Sequence, residues 1–318
     1  MESALPLVDR IERLIEVDVG RNMGALFAAA KGGLKSAALA LAAARPGAAR
    51  PGVAGSGVAG SGAVGILTGF FVPEGAPPAA ETDGPVGAAL LARGLDLVGI
   101  RCRLATDEPC RSACAAALDA AEAKAALDIA PLGRPPDAVV EAWREAGIEF
   151  AISIERCGKG ADGAPHNMRG RDISAHTAPL DALFLAGPWE TIGIGDGGNE
   201  IGMGALPRDL VARHVVGGNV IACATAAKHL IVAGVSNWGA YALLGALAAL
   251  REEWRQRLLS CLDEALDQRI LEATVRQGPA VDGVSLQQRL TVDGLPPARH
   301  HQVLRSIRAL VEDGRARS

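Results

Sequence analysis

Short apolar runs alternate with helical stretches along the middle of the chain. The runs are GILTG, LVGIRCRLATD, FAISIER and TIGIGD, and the stretches between them include GPVGAALLARGLDL, EPCRSACAAALDAAEAK and PPDAVVEAWREAG. Short apolar runs bounded by turn residues are typical of buried strands, and longer amphipathic stretches are typical of helices. The alternation therefore predicts βαβ units, and with them an α/β fold: a mostly parallel, Rossmann-like, doubly wound sheet with flanking helices.

The regions outside this alternation are predicted to be helical or loose. KGGLKSAALALAAA predicts one helix near the N-terminus, and a helical stripe precedes it at Val8, Ile11, Leu14 and Ile15. The Gly/Ala/Ser-rich segment that follows repeats VAGSG and has nothing to bury, so we expect a mobile surface loop. We thus expect a single domain over residues 1–318, with N-terminal helices in 8–44, the loop in 45–63, the α/β core in 63–256 and C-terminal helices in 257–313.

Each apolar run ends in a polar or turn residue, where the strand gives way to its loop. These endings are Thr68-Gly69, Thr106-Asp107, Glu155-Arg156 and Gly195-Asp196. Because the carboxyl ends of the strands in a doubly wound sheet line one crevice, we expect Asp83, Asp107, Glu155, Arg156 and Asp196 to line a common ligand site.

The segment GIGDGGNEIGMG, residues 193–204, admits three interpretations. GIGDGG matches the dinucleotide pattern GxGxxG, but the acidic residue expected about 20 residues later is absent from VVGGNVIACAT. The segment can also be a tight turn with polar decoration. The third interpretation, which we favour, is a site in which the glycines present N–H groups to an anion beside Asp196, Asn199 and Glu200.

Three other segments have both a structural and a functional interpretation. ETDGP, residues 81–85, either caps a helix starting at Gly84 through Asp83 or belongs to the site. Residues 155–173 form a long polar loop, and such loops in compact domains are often functional. SNWG, residues 236–239, starts a helix with a capping Ser or Asn.

Composition and charge narrow the class of protein. The formal charge of −4 and the pI near 5.9 provide no cationic field for a polyanion, so we expect no nucleic-acid partner. The six cysteines form no CxxC pair and indicate reduced thiols. The acidic start of the chain does not resemble a leader peptide, and no stretch requires a membrane span, which together favour a cytoplasmic location.

Several of these motifs, in this order, resemble the D-glutamate cyclase family, specifically its C-terminal-domain group. The motifs are ETDGP, IER, ADG followed by NMRG and DI, GDGGNEIGMG, VIAC and AGVSNWGAYAL, and they extend from about Val8 to the C-terminal helix. The resemblance implies a carbon-oxygen lyase that converts D-glutamate to 5-oxo-D-proline with loss of water.

The residues suit such a reaction, which needs a general base, a general acid and groups that hold the substrate. We expect Asp196 or Glu200 as the base and Glu81 or Asp83 as the acid. Arg156 and Arg169 are candidates for the substrate carboxylates, and the amides of Gly197 and Gly198 for the oxyanion. Further substrate contacts are expected from the remaining polar candidates, Thr68, Asp107, Glu155, Asn167, Asn199, Ser236 and Asn237.

Two other functions remain open from the sequence. Clustered Asp, Asn and Glu are also ligands for hard cations, so Asp196, Asn199 and Glu200 can instead serve a Mg- or Mn-dependent enzyme acting on another small carboxylated or phosphorylated metabolite. A non-catalytic module that binds an acidic metabolite is the third hypothesis. In each case we expect a small-molecule ligand, and a homo-oligomer is compatible with all three.

Overall fold

The computed structural model describes residues 4–43 and 62–316, and the predicted loop at 45–63 lies outside them except for its last two positions. The main sheet has six strands, all of whose pairs are parallel, in the order β5-β4-β1-β6-β7-β8. Its strands are β1 (Ala63–Leu67), β4 (Cys102–Asp107), β5 (Ala126–Ala130), β6 (Ile148–Ile154), β7 (Glu190–Gly195) and β8 (His229–Val232). The predicted mostly parallel α/β fold is confirmed.

Helices cover both faces of this sheet. One face carries α1 (Leu5–Ile15), α3 (Gly33–Ala42), α4 (Pro85–Leu97), α5 (Arg111–Ala121), α10 (Ser236–Leu250), α11 (Arg255–Leu259), α12 (Glu264–Arg276) and α13 (Pro297–Ala316). The other face carries α6 (Asp137–Glu145) and α7 (Leu180–Leu185). A third apolar cluster joins α2 (Gly24–Ala30), α8 (Arg208–His214) and α9 (Gly218–Ile221).

The order of the strands locates a crevice. The chain runs from β1 outward through β4 to β5, then returns to β6 and continues through β7 to β8, so the direction reverses between β1 and β6. Ligands of doubly wound sheets bind at this switch point, beyond the carboxyl ends of the strands. Thr68 follows β1 and Glu155 follows β6, which places both predicted residues at the crevice.

A small antiparallel pair leads the chain into the same crevice. It consists of β2 (Phe71–Val72) and β3 (Ala79–Ala80), and the residues after β3 continue as a bridge between Glu81 and Val281. The amide of Thr82 donates to the carbonyl of Val281 at 2.9 Å. These backbone hydrogen bonds hold ETDGP against the loop at 278–296, which lies between α12 and α13.

Helix α10 is the central helix of its layer. All fifteen of its residues are buried, and it packs on the sheet at β6, β7 and β8 as well as on α1, α3, α4 and α13. Its apolar sequence has no polar face because no face reaches solvent. The predicted helix start at SNWG, residues 236–239, is confirmed by α10, but the residue before the helix is Val235, so the predicted capping by Ser236 or Asn237 is wrong.

The strand β5 is an element that the sequence pattern missed. It pairs with β4 at the edge of the sheet, and four of its five residues are partly or fully exposed. An edge strand with so little burial carries no apolar run, so periodicity gives little signal.

Among the described residues, no single helix combines the length and the apolar character needed to cross a membrane. Helices α2 and α3, which meet at a bend of 42°, reach that length and apolar character only when they are taken together, and by length and composition alone.

Close packing of α10 on the sheet predicts that Gly239→Ala destabilises the fold. A Cβ at Gly239 would lie 2.3 Å from Cγ2 of the buried Ile194 on β7. Overpacking of this kind costs about 1–3 kcal/mol, which exceeds the gain of about 1 kcal/mol from replacing a helical glycine by alanine. We expect a lower melting temperature in thermal unfolding.

The matched control is Gly24→Ala at the start of α2, where an added Cβ meets no atom within 4 Å. This variant should be as stable as the wild type or more so. A Gly239→Ala protein that melts with the control would contradict the close contact between α10 and β7.

Candidate active site

Three carboxylates converge on the N-terminus of α10. The amide of Ser236 donates to Asp83 Oδ2 at 2.9 Å and to Asp196 Oδ2 at 3.1 Å, and its hydroxyl donates to Glu155 Oε2 at 2.5 Å. The amide of Asn237 donates to Asp83 Oδ1 at 2.8 Å. The first amides of a helix lack partners within the helix and carry its positive partial charge, so they attract anionic groups from three separate segments.

The side chain of Asn237 completes a reciprocal arrangement between α10 and α4. Its Oδ1 accepts hydrogen bonds from the amides of Gly84 at 3.0 Å and Gly87 at 2.7 Å, in the first turn of α4. The sequence offers Asp83 as a cap for α4. Its carboxylate mainly caps α10, and its contact with α4 is the amide of Gly84 at 3.0 Å. Each helix is therefore capped by a residue that belongs to the other segment.

Glu155 is held in an unusual backbone conformation. Its φ of +44° lies in the left-handed region, which non-glycine residues rarely adopt. Such strain costs on the order of 1–3 kcal/mol and persists where the surrounding structure imposes it. Here it aims the carboxylate at the hydroxyl of Ser236, immediately after β6.

Two further charged residues join the cluster, and the sequence interpretation missed both. Arg21 Nη1 lies 2.6 Å from Asp196 Oδ1 in a contact that is ionic rather than a well-aligned hydrogen bond, and Nη2 donates to Asp293 Oδ1 at 2.6 Å. Arg21 follows α1 in a loop whose amides donate to Asp18, while Asp293 precedes α13 with φ +54°. The local sequence features at these positions are the polar turn DVGRN, residues 18–22, which contains Arg21, and the dipeptide DG, residues 293–294, which contains Asp293.

We call the six carboxyl groups of this region the carboxyl cluster. Its members are Glu81, Asp83, Glu155, Asp196, Glu200 and Asp293, none of them more than 9% exposed. Oxygens of Asp83, Asp196 and Asp293 lie within 4.8 Å of one another, and so do oxygens of Glu155, Asp196 and Glu200. The structure therefore places Asp83 and Asp196 in one site, although more than a hundred positions separate them.

Burial and mutual repulsion change the protonation of this cluster. Burial, reinforced by neighbouring negative charges, raises the pKa of Glu81, Asp83 and Glu155 well above the usual range of a carboxyl. Burial also raises the pKa of Asp196, but the Arg21 guanidinium opposes that rise. For Asp293, burial outweighs Arg21 and raises the pKa to about 7. The cluster thus combines carboxyls that favour the protonated form with one that Arg21 helps to keep ionised.

Glu200 closes the loop of GDGGNE on itself. Its Oε1 accepts hydrogen bonds from the amides of Asp196 at 3.0 Å and Gly197 at 2.6 Å, and its Oε2 accepts one from Gly198 at 2.8 Å. Gly198 has φ +100°, so a residue with a side chain would be strained there. The amides proposed for an oxyanion therefore already bind a carboxylate in this structure, and that role remains a prediction.

Arg156 and Asp107 form a separate buried ion pair. Arg156 Nη2 donates to Asp107 Oδ2 at 2.5 Å and to the carbonyl of Ala178 at 2.8 Å, and Nη1 donates to the carbonyl of Gly69 at 2.7 Å. The arginine is 1% exposed and the aspartate fully buried. These contacts tie the end of β4 to the loop after β6, and they occupy the guanidinium that the sequence assigned to a substrate carboxylate.

The other predicted residues occupy different surroundings. Asn167 Oδ1 accepts from the amides of Arg169 and Arg171, which makes it the organiser of a loop turn, and the Arg169 side chain is exposed. Asn199 Nδ2 donates to the carbonyl of His166 at 2.8 Å. The buried Thr68 Oγ1 has no hydrogen-bond partner in the described part of the chain and would lie 2.5 Å from a Cβ at Gly84.

The fold and the carboxyl cluster define an α/β protein with a candidate ligand site at the switch point of its sheet. Residues 11–308 match the family described as D-glutamate cyclase-like, C-terminal, and the chain belongs to this family. It is similar to the human protein named D-glutamate cyclase, mitochondrial, with 31% identity over 331 aligned positions. The alignment covers 92% of this chain and 50% of the human protein, so the chain spans about half the length of that relative.

The raised pKa of Asp293 predicts a pH-dependent contribution to stability. Its pKa is about 7 in the folded protein, whereas an aspartate in an unfolded chain has a pKa of about 3.9. Between these values the folded protein keeps a proton that the unfolded chain has lost, so the free energy of unfolding decreases as pH rises and levels off above about pH 7. Asn cannot ionise, so Asp293→Asn should gain stability relative to wild type, on the order of 2 kcal/mol, from about pH 5 to about pH 8.

Denaturant unfolding at several pH values measures this difference, with the exposed Asp119→Asn on α5 as the matched control. Glu81, Asp83 and Asp196 also face Asp293, and the loss of its charge should ease their ionisation in the same direction. Stability curves for wild type and Asp293→Asn that stay parallel over this range would rule out the buried, late-ionising Asp293.

Proposed function

We propose that the chain catalyses the conversion of D-glutamate to 5-oxo-D-proline and water, or the reverse reaction. The observation that carries the proposal is the coexistence, in one buried cluster, of an aspartate paired with arginine and several carboxyls that favour their protonated form. Membership of the D-glutamate cyclase-like family and the name of the human relative support the choice of substrate.

The reaction needs two proton transfers and no external reactant. The amino nitrogen forms a bond to the carbon of the γ-carboxylate, and one oxygen of that carboxylate leaves. The ammonium nitrogen gives up two of its three protons, and both end on the departing oxygen as water. Because the attack is intramolecular, the protein has only to fold the substrate into a reactive geometry and carry these protons between the two atoms.

Asp196 is the best-supported general base. It lies after β7 at the crevice, and its contact with Arg21 favours the ionised form that can accept a proton from the ammonium group. Glu200, the alternative base from the sequence, accepts hydrogen bonds from three backbone amides, which occupy its oxygens. We therefore assign Glu200 to holding the loop and Asp196 to proton transfer.

Asp83 and Glu81 are the candidate acids. Burial and neighbouring charges raise the pKa of both, so each can hold a proton at neutral pH and deliver it to the departing oxygen. Asp83 shares the amide of Ser236 with Asp196, but it also accepts hydrogen bonds from the amides of Asn237 and Gly84, so backbone amides occupy its oxygens as they occupy those of Glu200. Glu81 is therefore the better-supported acid. Environments that separate the pKa values of neighbouring carboxyls are typical of acid-base pairs.

A divalent-cation-dependent enzyme acting on another small carboxylated or phosphorylated metabolite is the second candidate function. The two groups of carboxylate oxygens within 4.8 Å have the ligand chemistry of Mg or Mn. In the first group Arg21 already contacts Asp196 and Asp293, and in the second the Glu200 oxygens accept three amides. A cation at either place would have to compete with these contacts, which makes the metal-free proton transfer the better supported function.

Incubation of the protein with D-glutamate, L-glutamate and both 5-oxoprolines, with and without Mg or Mn, tests the proposal. Interconversion confined to the D-compounds is the expected result. Activity on D-glutamate only after metal addition would support the proposed reaction but overturn its metal-free form. Metal binding without turnover of these acids would favour the second candidate, and binding of the acids without turnover would indicate a non-catalytic binding module.

Replacement of Asp196 tests its role directly. Asp196→Asn keeps the size and one acceptor oxygen but removes the basic carboxylate, so we expect turnover to fall by about a hundred- to ten-thousand-fold while the protein stays folded. Turnover and melting temperature should be measured on the same preparation, with Asp119→Asn as the control.

A purely structural Asp196 predicts the opposite pattern. It would give a lower melting temperature together with near-normal specific activity in the fraction that remains folded, and that outcome would remove Asp196 from the proposed chemistry.

A further inference from the structure

The carboxyl cluster has a strong excess of negative charge for a site that must receive an anion. The cluster contains six carboxyls. In the described part of the chain, Arg21 forms ion pairs with two of them, Asp196 and Asp293. D-glutamate carries two carboxylates and one ammonium group at neutral pH. The cluster suits the ammonium group, but a carboxylate needs a cation or several N–H donors.

The other arginines proposed from the sequence are committed or distant from these contacts. Arg156 is 1% exposed and donates to Asp107 and to two backbone carbonyls. Arg169 lies with its side chain exposed in the loop that Asn167 organises. Neither of them contacts a member of the carboxyl cluster through its side chain in the described part of the chain.

Arg21 has both the position and the donors for a further anion. Its side chain is 19% exposed, more than those of its partners Asp196 and Asp293 at 3% each, although Nη1 itself is buried against Asp196. A guanidinium has five N–H donors in a planar fork, and one contact at each Nη leaves others for a ligand. The loop that carries Arg21 is fixed by hydrogen bonds from the amides of Gly20, Arg21 and Asn22 to Asp18.

The two carboxylates of the substrate have different chemical needs. The γ-carboxylate loses an oxygen, so it must meet proton donors, which the carboxyls with raised pKa supply. The α-carboxylate is unchanged and is present in both D-glutamate and 5-oxo-D-proline. A permanent cation is suited to this spectator group because it need not gain or lose a proton during the reaction.

We propose that Arg21 binds the α-carboxylate of the substrate and of the product, and so sets the requirement for an α-amino acid. The inference rests on the proposed function. It makes Arg21 a specificity-determining residue that contacts the ligand while it remains paired with the base Asp196.

The rival explanation is that Arg21 is only the counter-ion of Asp196 and Asp293. Removal of Arg21 would then impair every substrate equally, whether or not it carries an α-carboxylate. A cycle that combines variants of Arg21 with substrates that have or lack this group separates the two explanations, because only a direct contact makes the two changes non-additive.

The experiment compares wild type, Arg21→Gln and Arg21→Lys on D-glutamate and on D-isoglutamine, in which the α-carboxylate is an amide. Arg21→Lys keeps the charge and supplies a second variant if Arg21→Gln does not fold. Arg251→Gln is the matched control, since Arg251 has a similar exposure of 23%, also contacts a carboxylate and a further group, and lies just beyond the opposite end of α10. Binding of 5-oxo-D-proline and of 5-oxo-D-prolinamide is measured in parallel by calorimetry.

We expect Arg21→Gln to lose activity on both substrates, because Asp196 loses its partner. On D-glutamate we expect a further loss of about tenfold to a hundredfold in kcat/KM, the range for a hydrogen bond to a charged group. Affinity for 5-oxo-D-proline should fall in the same variant, and affinity for the amide should not. The binding comparison decides the matter if D-isoglutamine reacts too slowly to measure.

Equal losses on both substrates and both ligands, in a wild type that is active on D-glutamate, would overturn the contact and leave the proposed function intact. A wild type that neither turns over D-glutamate nor binds 5-oxo-D-proline would overturn the proposed function, and the assignment of Arg21 with it.

Discussion

The site depends on the hydrogen bonds that the N-terminus of α10 donates to acidic side chains. Asp83, Glu155 and Asp196 come from three separate segments, and each would be repelled by the others if they met in an apolar crevice. The two amides and the hydroxyl of Ser236 and Asn237 give all three a common partner. Because every residue of α10 is buried between the sheet and its neighbouring helices, the position of these donors is set by the packing of the core rather than by the site itself.

The same contacts make the site part of the fold. Asn237 accepts two amides of α4, while Asp83, just before α4, accepts amides of α10. The two helices approach closely enough that a Cβ at Gly87 would lie 2.7 Å from Asn237 Oδ1 and 3.1 Å from the Cβ of Ala240. A substitution that separates α4 from α10 would therefore uncap both helices and disperse the carboxylates together. Stability and function are coupled here through shared hydrogen bonds.

The sequence predicts the sheet and half of the site, for identifiable reasons. Alternating apolar runs are a local signal, and the rule that ligands bind beyond strand ends converts them into the correct meeting of Asp83, Glu155 and Asp196. Arg21 lies in the polar turn DVGRN and Asp293 in the loop at 278–296, and neither that turn nor the dipeptide DG indicates that tertiary packing brings the two residues together. Arg156, like Glu155, follows a strand, but residue spacing in the sequence does not indicate that it pairs with the buried Asp107.

The balance of charge in the cluster bears on the chemistry it can perform. Burial and the neighbouring negative charges raise the pKa of Glu81, Asp83 and Glu155 well above the usual range of a carboxyl. The folded protein thus holds protons at the site, at a cost in stability that rises with pH. Cyclisation of glutamate moves two protons from nitrogen to oxygen and exchanges none with solvent. In the proposed reaction, the carboxyls with raised pKa and Asp196 beside Arg21 would accept a proton at one oxygen and release another nearby, so that the total charge of the cluster would be the same after each turnover as before it.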